Sequence, residues 1–494
     1  MRPKTLTLLV ALTVLLAIPA RLTAQGSEEH RVHHRYKLID IGLGGPQSAV
    51  IEFAHTLNIP GAVVGIADTS AADPNYPNFS PFLGFGNPDR FIQHGFLWQD
   101  GVLTDMGALA NSSQVSAINA RGVTVGLSEN GLIDPLNGFL AVHAVAWNDG
   151  QIIDLGTLEG GYESLASDIN NGGQVVGASQ NAIPDPFGYG GVQTRAVLWQ
   201  NGTMQDLGTL GTGNDAIAPF VNARGQVAGW SYTNSTANPV TGAPTQDPYL
   251  WHDGKMLDLG TLGGTLGAPN ALNNRGQVVG ISMVAGDLSG HPFLWTNPGP
   301  MQDLGTFGGS SGVAAWINDA GEIVGWAYLA GDQVFHAFLW KDGVKTDLGT
   351  LEGDSTSDAH GINSKGQVVG SSEPSSRGFL WENGKMFDLN TLVSYGSELN
   401  LYFPTIINDR GEIAGQGQLA NGDIHAFLLI PCEETHADEE GCEDEGTTMT
   451  QSNPVLVNDA STNMIHDRLA QEKLAALRDR VARRSRGLGI WPRP

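Results

Sequence analysis

Cysteine, basic side chains and long apolar runs are all scarce in this 494-residue chain. Its two cysteines, Cys432 and Cys442, can close one small loop in an oxidising compartment, but they cannot staple the body of the protein. Lysine and arginine number 26 against 51 aspartates and glutamates, which gives a formal charge of −25. Nucleic acid and anionic membranes are bound through basic patches, so this balance argues against both as partners. The acidic charge favours solubility, and it can also collect cations.

The one long apolar run stands at the start of the chain. Arg2 and Lys4 precede an apolar stretch at 6–18. This arrangement is typical of a secretory signal peptide rather than of a membrane span. We therefore expect residues 1–24 to be removed and residues 25–35 to form an N-terminal linker. The mature chain is expected to be secreted, into the periplasm or outside the cell, without a transmembrane segment.

An asparagine–glycine phrase, Asn-x-x-Gly, recurs eight times along the chain. Successive copies lie 45 to 61 residues apart, which is the range of repeat architectures. The asparagines are Asn58, Asn119, Asn170, Asn222, Asn273, Asn318, Asn363 and Asn408. The repeats therefore have to be interpreted as one recurring structural unit.

Each repeat contains short apolar segments rich in Val, Ile, Phe and Trp, bounded by Gly, Asn or Asp, and this pattern predicts strands. The Asn-x-x-Gly phrase, and an Asp-Gly or Asn-Gly pair after a recurring tryptophan, predict tight hairpins with positive φ. The tryptophan itself predicts core packing between units. Four strands in about 45 residues match a β-propeller blade.

The predicted fold is all-β, a propeller of about eight four-stranded blades over residues 36–430. The segment 36–41 resembles the fourth strand of a repeat, and the last repeat stops after its third strand. We therefore expect the N-terminal strand to complete the final blade and close the ring. Residues 431–454 predict an acidic disordered linker, and residues 455–494 predict a short helical, basic tail.

The phrase His-Ala-Phe-Leu-Trp at 336–340, together with His-Ala-Phe-Leu at 425–428, resembles the bacterial extracellular HAF repeat family. The segment Asp-Leu-Gly-Thr-Leu-Gly-Gly at 258–264 is also similar to that family. The resemblance covers about residues 36–430 and implies export and a repeat fold. It implies no catalytic residues. Three repeats lack the histidine, so the blade does not require it.

Two polar positions recur and are candidates for a metal site. Histidines at 94, 143, 291, 336 and 425 share one strand position, but arginines interrupt the set, so we interpret them as hydrogen-bonding a neighbouring blade. The aspartates of the Asp-Leu-Gly segments suit either an acidic throat that binds Ca²⁺ or turns that accept backbone N–H bonds. The candidate calcium ligands are Asp154, Asp206, Asp258, Asp303 and Asp347.

A residue present in every repeat belongs to the scaffold, so function is expected where the repeats differ. The stretch between the second and third strands is longest in the first four repeats and emerges beside the links between blades. Its aromatic side chains suit a sugar or peptide ligand beside an acidic funnel. The candidate ligand-binding residues are Tyr76, Phe79, Phe82, Phe85, Phe187, Tyr189 and Tyr232.

Three functions fit these observations. The first is an exported, non-enzymatic propeller that binds an extracellular glycan, peptide or protein through its long-loop face. The second is a carbohydrate- or peptide-active hydrolase or lyase that uses the loops of the first four blades. The third is a structural surface spacer. The sequence contains no nucleophile elbow, phosphate loop, zinc signature or cofactor motif, so no cofactor beyond Ca²⁺ is expected.

Overall fold

The computed structural model describes residues 36–50, 55–76, 90–239, 241–393, 398–432 and Cys442. The expected signal peptide and N-terminal linker, most of the acidic linker and the whole basic tail lie outside these residues. Among the described residues, no helix is long and apolar enough to cross a bilayer. Cys432 and Cys442 form a disulfide.

The described residues form a β-propeller of eight four-stranded blades, each an antiparallel meander. Blade 1 contains β2 (Ser48–Ala49), β3 (Val63–Ala72), β4 (Phe91–Gln99) and β5 (Val102–Asp105), and blade 2 contains β6 (Ser113–Ile118), β7 (Thr124–Ile133), β8 (Leu140–Asn148) and β9 (Gln151–Gly156). Blade 3 contains β10 (Ser164–Ile169), β11 (Val175–Pro184), β12 (Val192–Gln200) and β13 (Thr203–Asp206), and blade 4 contains β14 (Ala216–Val221), β15 (Val227–Tyr232), β16 (Gln246–His252) and β17 (Lys255–Asp258).

Blades 5 to 8 continue the same order with shorter connections. Blade 5 contains β18 (Gly263–Leu272), β19 (Val278–Val284), β20 (Gly290–Trp295) and β21 (Gln302–Asp303), and blade 6 contains β22 (Gly308–Ile317), β23 (Ile323–Leu329), β24 (Phe335–Lys341) and β25 (Val344–Gly349). Blade 7 contains β26 (Thr356–Ile362), β27 (Val368–Glu373), β28 (Arg377–Glu382) and β29 (Lys385–Asp388), and blade 8 contains β30 (Asn400–Ile407), β31 (Ile413–Gln418), β32 (Ile424–Pro431) and β1 (Tyr36–Ile41). The fourth strand of blade 8 is thus the N-terminal strand, which pairs antiparallel with β32. Two 3₁₀ turns, Tyr189–Gly191 and Leu389–Thr391, are the helical elements of the described residues.

The predicted hairpin chemistry is confirmed. All eight glycines of the Asn-x-x-Gly phrases have positive φ, between 73° and 94°. The Asp-Gly and Asn-Gly turns between third and fourth strands also have two consecutive residues at positive φ, as at Asp149 and Gly150. Such turns match the right-handed twist of the strands they join. The hairpin residues therefore fix the register of each blade locally.

The repeated asparagines do more than turn the chain. Each side-chain Oδ1 accepts the backbone N–H four residues on, at 2.9 to 3.1 Å. Each Nδ2 donates to the backbone oxygen of the asparagine in the next blade, at 2.9 to 3.2 Å. The eighth, Asn408, donates to Asn58 of blade 1 at 3.0 Å. A circle of eight amide hydrogen bonds thus connects every blade to the next.

The apolar core lies between neighbouring blades. One cluster joins Phe338 and Ile323 of blade 6 to Leu294 and Val279 of blade 5, and the other interfaces repeat this pattern. The predicted core role of the tryptophans is confirmed: Trp147 is 3% exposed, and its indole donates to the Met106 carbonyl of blade 1 at 2.9 Å. Blade-to-blade packing therefore carries the stability that the two cysteines cannot supply.

Candidate functional site

The meander gives the propeller two unlike faces. Connections between first and second strands and between third and fourth strands lie at one end, which we call the hairpin face. Connections between second and third strands, and the links to the next blade, lie at the other end, which we call the loop face. The asparagine circle belongs to the hairpin face, so the irregular parts of the repeats are concentrated on the loop face.

In seven blades a basic side chain of the third strand pairs with the aspartate of the fourth strand at 2.7 to 3.3 Å. The pairs are His94–Asp105, His143–Asp154, His291–Asp303, His336–Asp347, His425–Asp40, Arg195–Asp206 and Arg377–Asp388. The expectation that the histidine bonds a neighbouring blade is wrong in its main contact, because this partner lies in the same sheet. Among these histidines, within the part of the chain that the structure describes, His94 alone adds a contact across the interface, from Nε2 to the Asn111 carbonyl at 3.2 Å.

The aspartates of the Asp-Leu-Gly segments also have the predicted turn role. Asp154 Oδ1 accepts the Gly156 N–H at 2.8 Å, and five other blades repeat this contact at 2.6 to 2.8 Å. Although burial raises the pKa of Asp154, the hydrogen bonds from His143 and Gly156 hold it below its usual value. Among the described residues, no group of three or more His, Cys, Asp or Glu side chains is placed to hold one metal ion.

Blade 4 departs from the pairing rule. Asp247 stands where the other blades have histidine or arginine. It is hydrogen-bonded to Asp258, the fourth-strand aspartate that a basic side chain at this position would neutralise. Burial, followed by the charge of Asp258, raises the pKa of Asp247 to about 7. The other oxygen of Asp247, Oδ1, is buried without a hydrogen-bond partner. Of the five candidate calcium ligands, Asp258 is therefore the one whose third-strand neighbour is a carboxylate instead of a basic side chain.

On the loop face, the extra length of blades 1 to 3 continues the strands beyond the body of the sheet. Pairing resumes after a register irregularity, with Ile133 opposite Leu140 in blade 2 and Pro184 opposite Val192 in blade 3. Blades 5 to 8 turn back at once; in blade 5 a tight turn joins Val284 to Ser289. The long loops expected from the sequence are therefore partly projecting hairpins, which we call the strand extensions.

The strand extensions and the link beside them expose large apolar side chains, of which Tyr76 alone was among the predicted ligand-binding residues. The exposed side chains are Tyr76 (44%), Leu132 (66%), Ile133 (59%), Leu136 (44%), Tyr162 (41%) and Ile183 (54%). In blades 5 to 8, among the described residues, the loop face exposes one comparable side chain, Leu288. Successive side chains of a strand point to opposite faces, and this alternation continues where a strand extends beyond the edge of the sheet. The same alternation in the sequence could therefore have predicted these exposed positions.

The predicted aromatic ligand residues that the structure describes lie in three different settings. Tyr76 is exposed, with the Arg90 guanidinium 5.8 Å from its ring centre. Phe187 packs with Tyr232 and Trp230 at the interface of blades 3 and 4, where Tyr232 is only 8% exposed. Tyr189 packs instead against the cluster of Leu127 and Val142 in blade 2. Phe79, Phe82 and Phe85 lie outside the described residues.

Beneath the strand extensions lie buried carboxylates that were not among the predicted site residues. Asp134 and Glu163 at the interface of blades 2 and 3 are both 0% exposed, and Asp185 and Asp215 at the interface of blades 3 and 4 are 1% and 2% exposed. Asn137 bridges the first two, donating to Asp134 at 2.8 Å and to Glu163 at 3.2 Å. An Asp-Pro pair after the second strand of repeats 1 to 3, at 73, 134 and 185, is the sequence signal for half of this set.

The pair at the interface of blades 3 and 4 has an uneven set of partners. Asp185 accepts the Phe187 N–H on Oδ1 and the Asn214 amide on Oδ2, each at 2.7 Å. Asp215 Oδ1 accepts the Thr194 N–H at 2.7 Å, whereas its Oδ2 is buried without a partner. Burial raises the pKa of Asp215 to about 7, and the charge of Asp185 acts in the same direction. Burial and these two carboxylates raise the pKa of Tyr232 to about 12.

The inner strands carry a second irregular group, near the hairpin face. His55 of blade 1 reaches across blade 2 to Asp168 of blade 3, with 3.0 Å between Nδ1 and Oδ1. Asp168 is fully buried and accepts the Val221 N–H at 2.9 Å. The Trp316 ring of blade 6 lies edge-on to the imidazole, 6.0 Å between centres. The charge of Asp168 raises the pKa of His55 above its ordinary value.

No family model matches the chain, and no curated protein matches it in sequence. Among solved structures, the β-propeller domain of the trilobed protease from Pyrococcus furiosus is 10% identical, with 72% of this chain and 95% of that chain covered and a TM-score of 0.39. The acylaminoacyl peptidase of Pyrococcus horikoshii is 11% identical, with 75% and 57% covered and a TM-score of 0.37. The sialidase of Trypanosoma rangeli is 10% identical, with 81% and 55% covered and a TM-score of 0.30. These similarities concern the fold and bear on neither activity nor ligand.

Proposed function

We propose that this protein is an exported, non-enzymatic propeller that binds an extracellular ligand or protein partner through the loop face of blades 1 to 3 and the adjoining edge of blade 4. The observation that carries the proposal is the exposed apolar set on the strand extensions. Monomeric proteins rarely group exposed apolar side chains in one place without an interaction to make there. The matching positions in blades 5 to 8 end in tight turns, and this asymmetry supports a function for the strand extensions, because the scaffold is built without them in half of the blades.

The chemistry of the surface favours a peptide or protein over a glycan. Leu132, Ile133 and Ile183 are aliphatic, and aliphatic side chains are buried by apolar partner groups rather than by sugar hydroxyls. The carboxylates beneath them give this part of the loop face a negative potential. A partner with apolar anchors flanked by basic residues has the complementary character.

The test is a peptide and glycan array probed with the full mature chain and with two variants. Leu132→Ser combined with Ile183→Ser removes two exposed side chains, so folding is unaffected. Leu288→Ser is the matched control, because Leu288 is 92% exposed on the same face in blade 5. We expect the wild-type chain to bind array ligands, mainly peptides. The double variant should lose this binding, and the control variant should retain it. Hits that survive in the double variant place binding elsewhere, and an array without hits supports the spacer function.

A hydrolase remains the second candidate, because of one observation. Asp185 and Asp215 are neighbouring carboxylates, and a carboxyl with its pKa raised to about 7 suits a general acid. Each array hit is therefore incubated with the protein and followed by mass spectrometry. Cleavage that Asp215→Asn abolishes replaces the binding proposal with the enzymatic one, whereas intact ligand supports binding alone.

A further inference from the structure

Among the described residues, neither Asp185 nor Asp215 forms an ion pair with a basic side chain, whereas a similar buried carboxylate elsewhere in the ring does. In blade 7 the buried carboxylate of Asp354 is neutralised by Arg377, 3.0 Å away. At the interface of blades 3 and 4 the neighbouring cation is Arg195, but its guanidinium is bound to Asp206 and to the Asn214 carbonyl. An ionised carboxylate is costly to bury without a cation, so this interface is incomplete as an arrangement of protein groups alone.

Two residues that share a hydrogen bond at this interface each carry an oxygen without a hydrogen-bond partner. Asp215 is 2% exposed, and its Oδ2 has no hydrogen-bond partner. Thr194 is 7% exposed, and its hydroxyl oxygen is also without one. The Thr194 N–H donates to Asp215 Oδ1 at 2.7 Å, so the two unpartnered oxygens belong to residues that are hydrogen-bonded to each other. Buried polar atoms are satisfied in nearly all native proteins, so such a pair points to a bound group.

The donor set selects the class of that group. The available ligands are carboxylate and hydroxyl oxygens, without a nitrogen or sulfur among them, and hard cations prefer such sets. Calcium accepts irregular sets of oxygens and completes them with backbone carbonyls and water, whereas Mg²⁺ requires a near-octahedral arrangement.

We infer that Asp215, Asp185 and Thr194 form a Ca²⁺ site between blades 3 and 4. Asp215 Oδ2 and Thr194 Oγ1 supply direct ligands, and Asp185 supplies the second negative charge while its other contacts hold the turn at 185–191. The cation fastens the strand extension of blade 3 to the first strand of blade 4. The site is distinct from the acidic throat considered from the sequence, whose aspartates are mostly paired with histidine or arginine.

The site is tested with terbium, which replaces calcium and emits when a nearby indole or phenol is excited. Trp230 and Tyr232 are in ring contact, 5.5 Å between centres, and Tyr232 lies within the field of both carboxylates. We expect sensitised emission that Ca²⁺ displaces and Mg²⁺ does not, and a melting temperature that Ca²⁺ raises and a chelator lowers. Asp215→Asn is expected to lose both effects.

Asp247→Asn is the matched control, because it removes a partly buried, similarly perturbed carboxylate in blade 4 and should leave both effects intact. If Asp215→Asn does not fold, the isosteric Thr194→Val is expected to weaken calcium binding by about tenfold, because it removes one direct polar contact. Wild-type protein without a calcium-dependent melting shift overturns the inference and leaves Asp215 as a protonated acid. The inference also fails if Asp215→Asn keeps the shift. Because none of these measurements uses the peptide or glycan ligand, they are independent of the proposed function.

Discussion

Asp247 is the position at which one substitution should stabilise this protein. Seven blades pair the fourth-strand aspartate with a histidine or arginine, and blade 4 places a second carboxylate there instead. Asp247→Asn removes one charge from the pair, and Asp247→His restores the pattern of the other blades. Both variants should therefore unfold at a higher temperature than the wild type at neutral and alkaline pH.

The magnitude follows from the pKa of Asp247, which is about 7 in the folded state against an ordinary 3.8. A difference of this size corresponds to about 4 kcal/mol at most. Because the side chain retains some contact with water, screening reduces the expected gain to about 1–3 kcal/mol. For an unfolding unit of this size, that gain raises the melting temperature by about 1–4 °C.

The pH dependence has a definite sign. A carboxyl whose folded-state pKa is raised contributes stability at low pH, and that contribution is lost as the pH rises through the folded pKa. The advantage of Asp247→Asn should therefore be near zero at pH 4, grow through the window from 4 to about 7, and remain constant above it. Differential scanning calorimetry over pH 4–9 measures this curve.

A control in the same blade separates this effect from a general loss of negative charge. Asp253→Asn makes the same change at an exposed turn position, where the positive φ of 49° suits asparagine. It should shift the melting temperature little at any pH. The reasoning is refuted if Asp247→Asn is destabilising at pH 8, or if its advantage is independent of pH.

Three further predictions concern the scaffold. Asn318→Ala removes the bonds to Asn363 and Glu322 and should cost about 1–3 kcal/mol in urea unfolding; an unchanged midpoint would show that the asparagine circle is incidental. His336→Arg should leave the melting temperature nearly unchanged, because arginine makes the same pair in two other blades, whereas His336→Ala should cost about 0.5–1 kcal/mol. The raised pKa of His55 means that its pair with Asp168 stabilises the fold below the ordinary imidazole pKa and is lost as the pH rises through the raised one, so Asp168→Asn should cost more stability at pH 6 than at pH 9. An equal cost at both pH values would contradict that pairing.

The sequence predicted the blade because its signals are local. Asn-x-x-Gly and Asp-Gly dictate positive φ within a few residues, and the turn fixes the register of the strands beside it. The pair of His336 and Asp347 was within reach of the same argument. The Asp342-Gly343 turn sets Phe338 opposite Asp347, which makes His336 the diagonal neighbour of that aspartate.

What the sequence could not supply depends on contacts between blades. The backbone oxygen that accepts from each asparagine amide across the interface lies 45 or more residues away, so a single repeat gives no sign of the circle. Asp185 and Asp215 belong to different repeats and meet only when blades 3 and 4 pack together. His55 and Asp168 belong to blades 1 and 3 and meet only in the closed ring, although 113 positions separate them in the sequence. Such encounters depend on ring geometry rather than on local pattern.

The central claim is that function lies on the strand extensions of blades 1 to 3. Its most direct measurement is the affinity of the first peptide hit for the wild type, for Leu132→Ser with Ile183→Ser, and for Leu288→Ser, determined by calorimetry. Loss of a buried apolar contact at an interface weakens binding by about tenfold or more. The double variant, which lacks two such contacts, should therefore bind more weakly than the wild type, whereas Leu288→Ser should bind as the wild type does. Equal affinities for all three proteins would contradict the account.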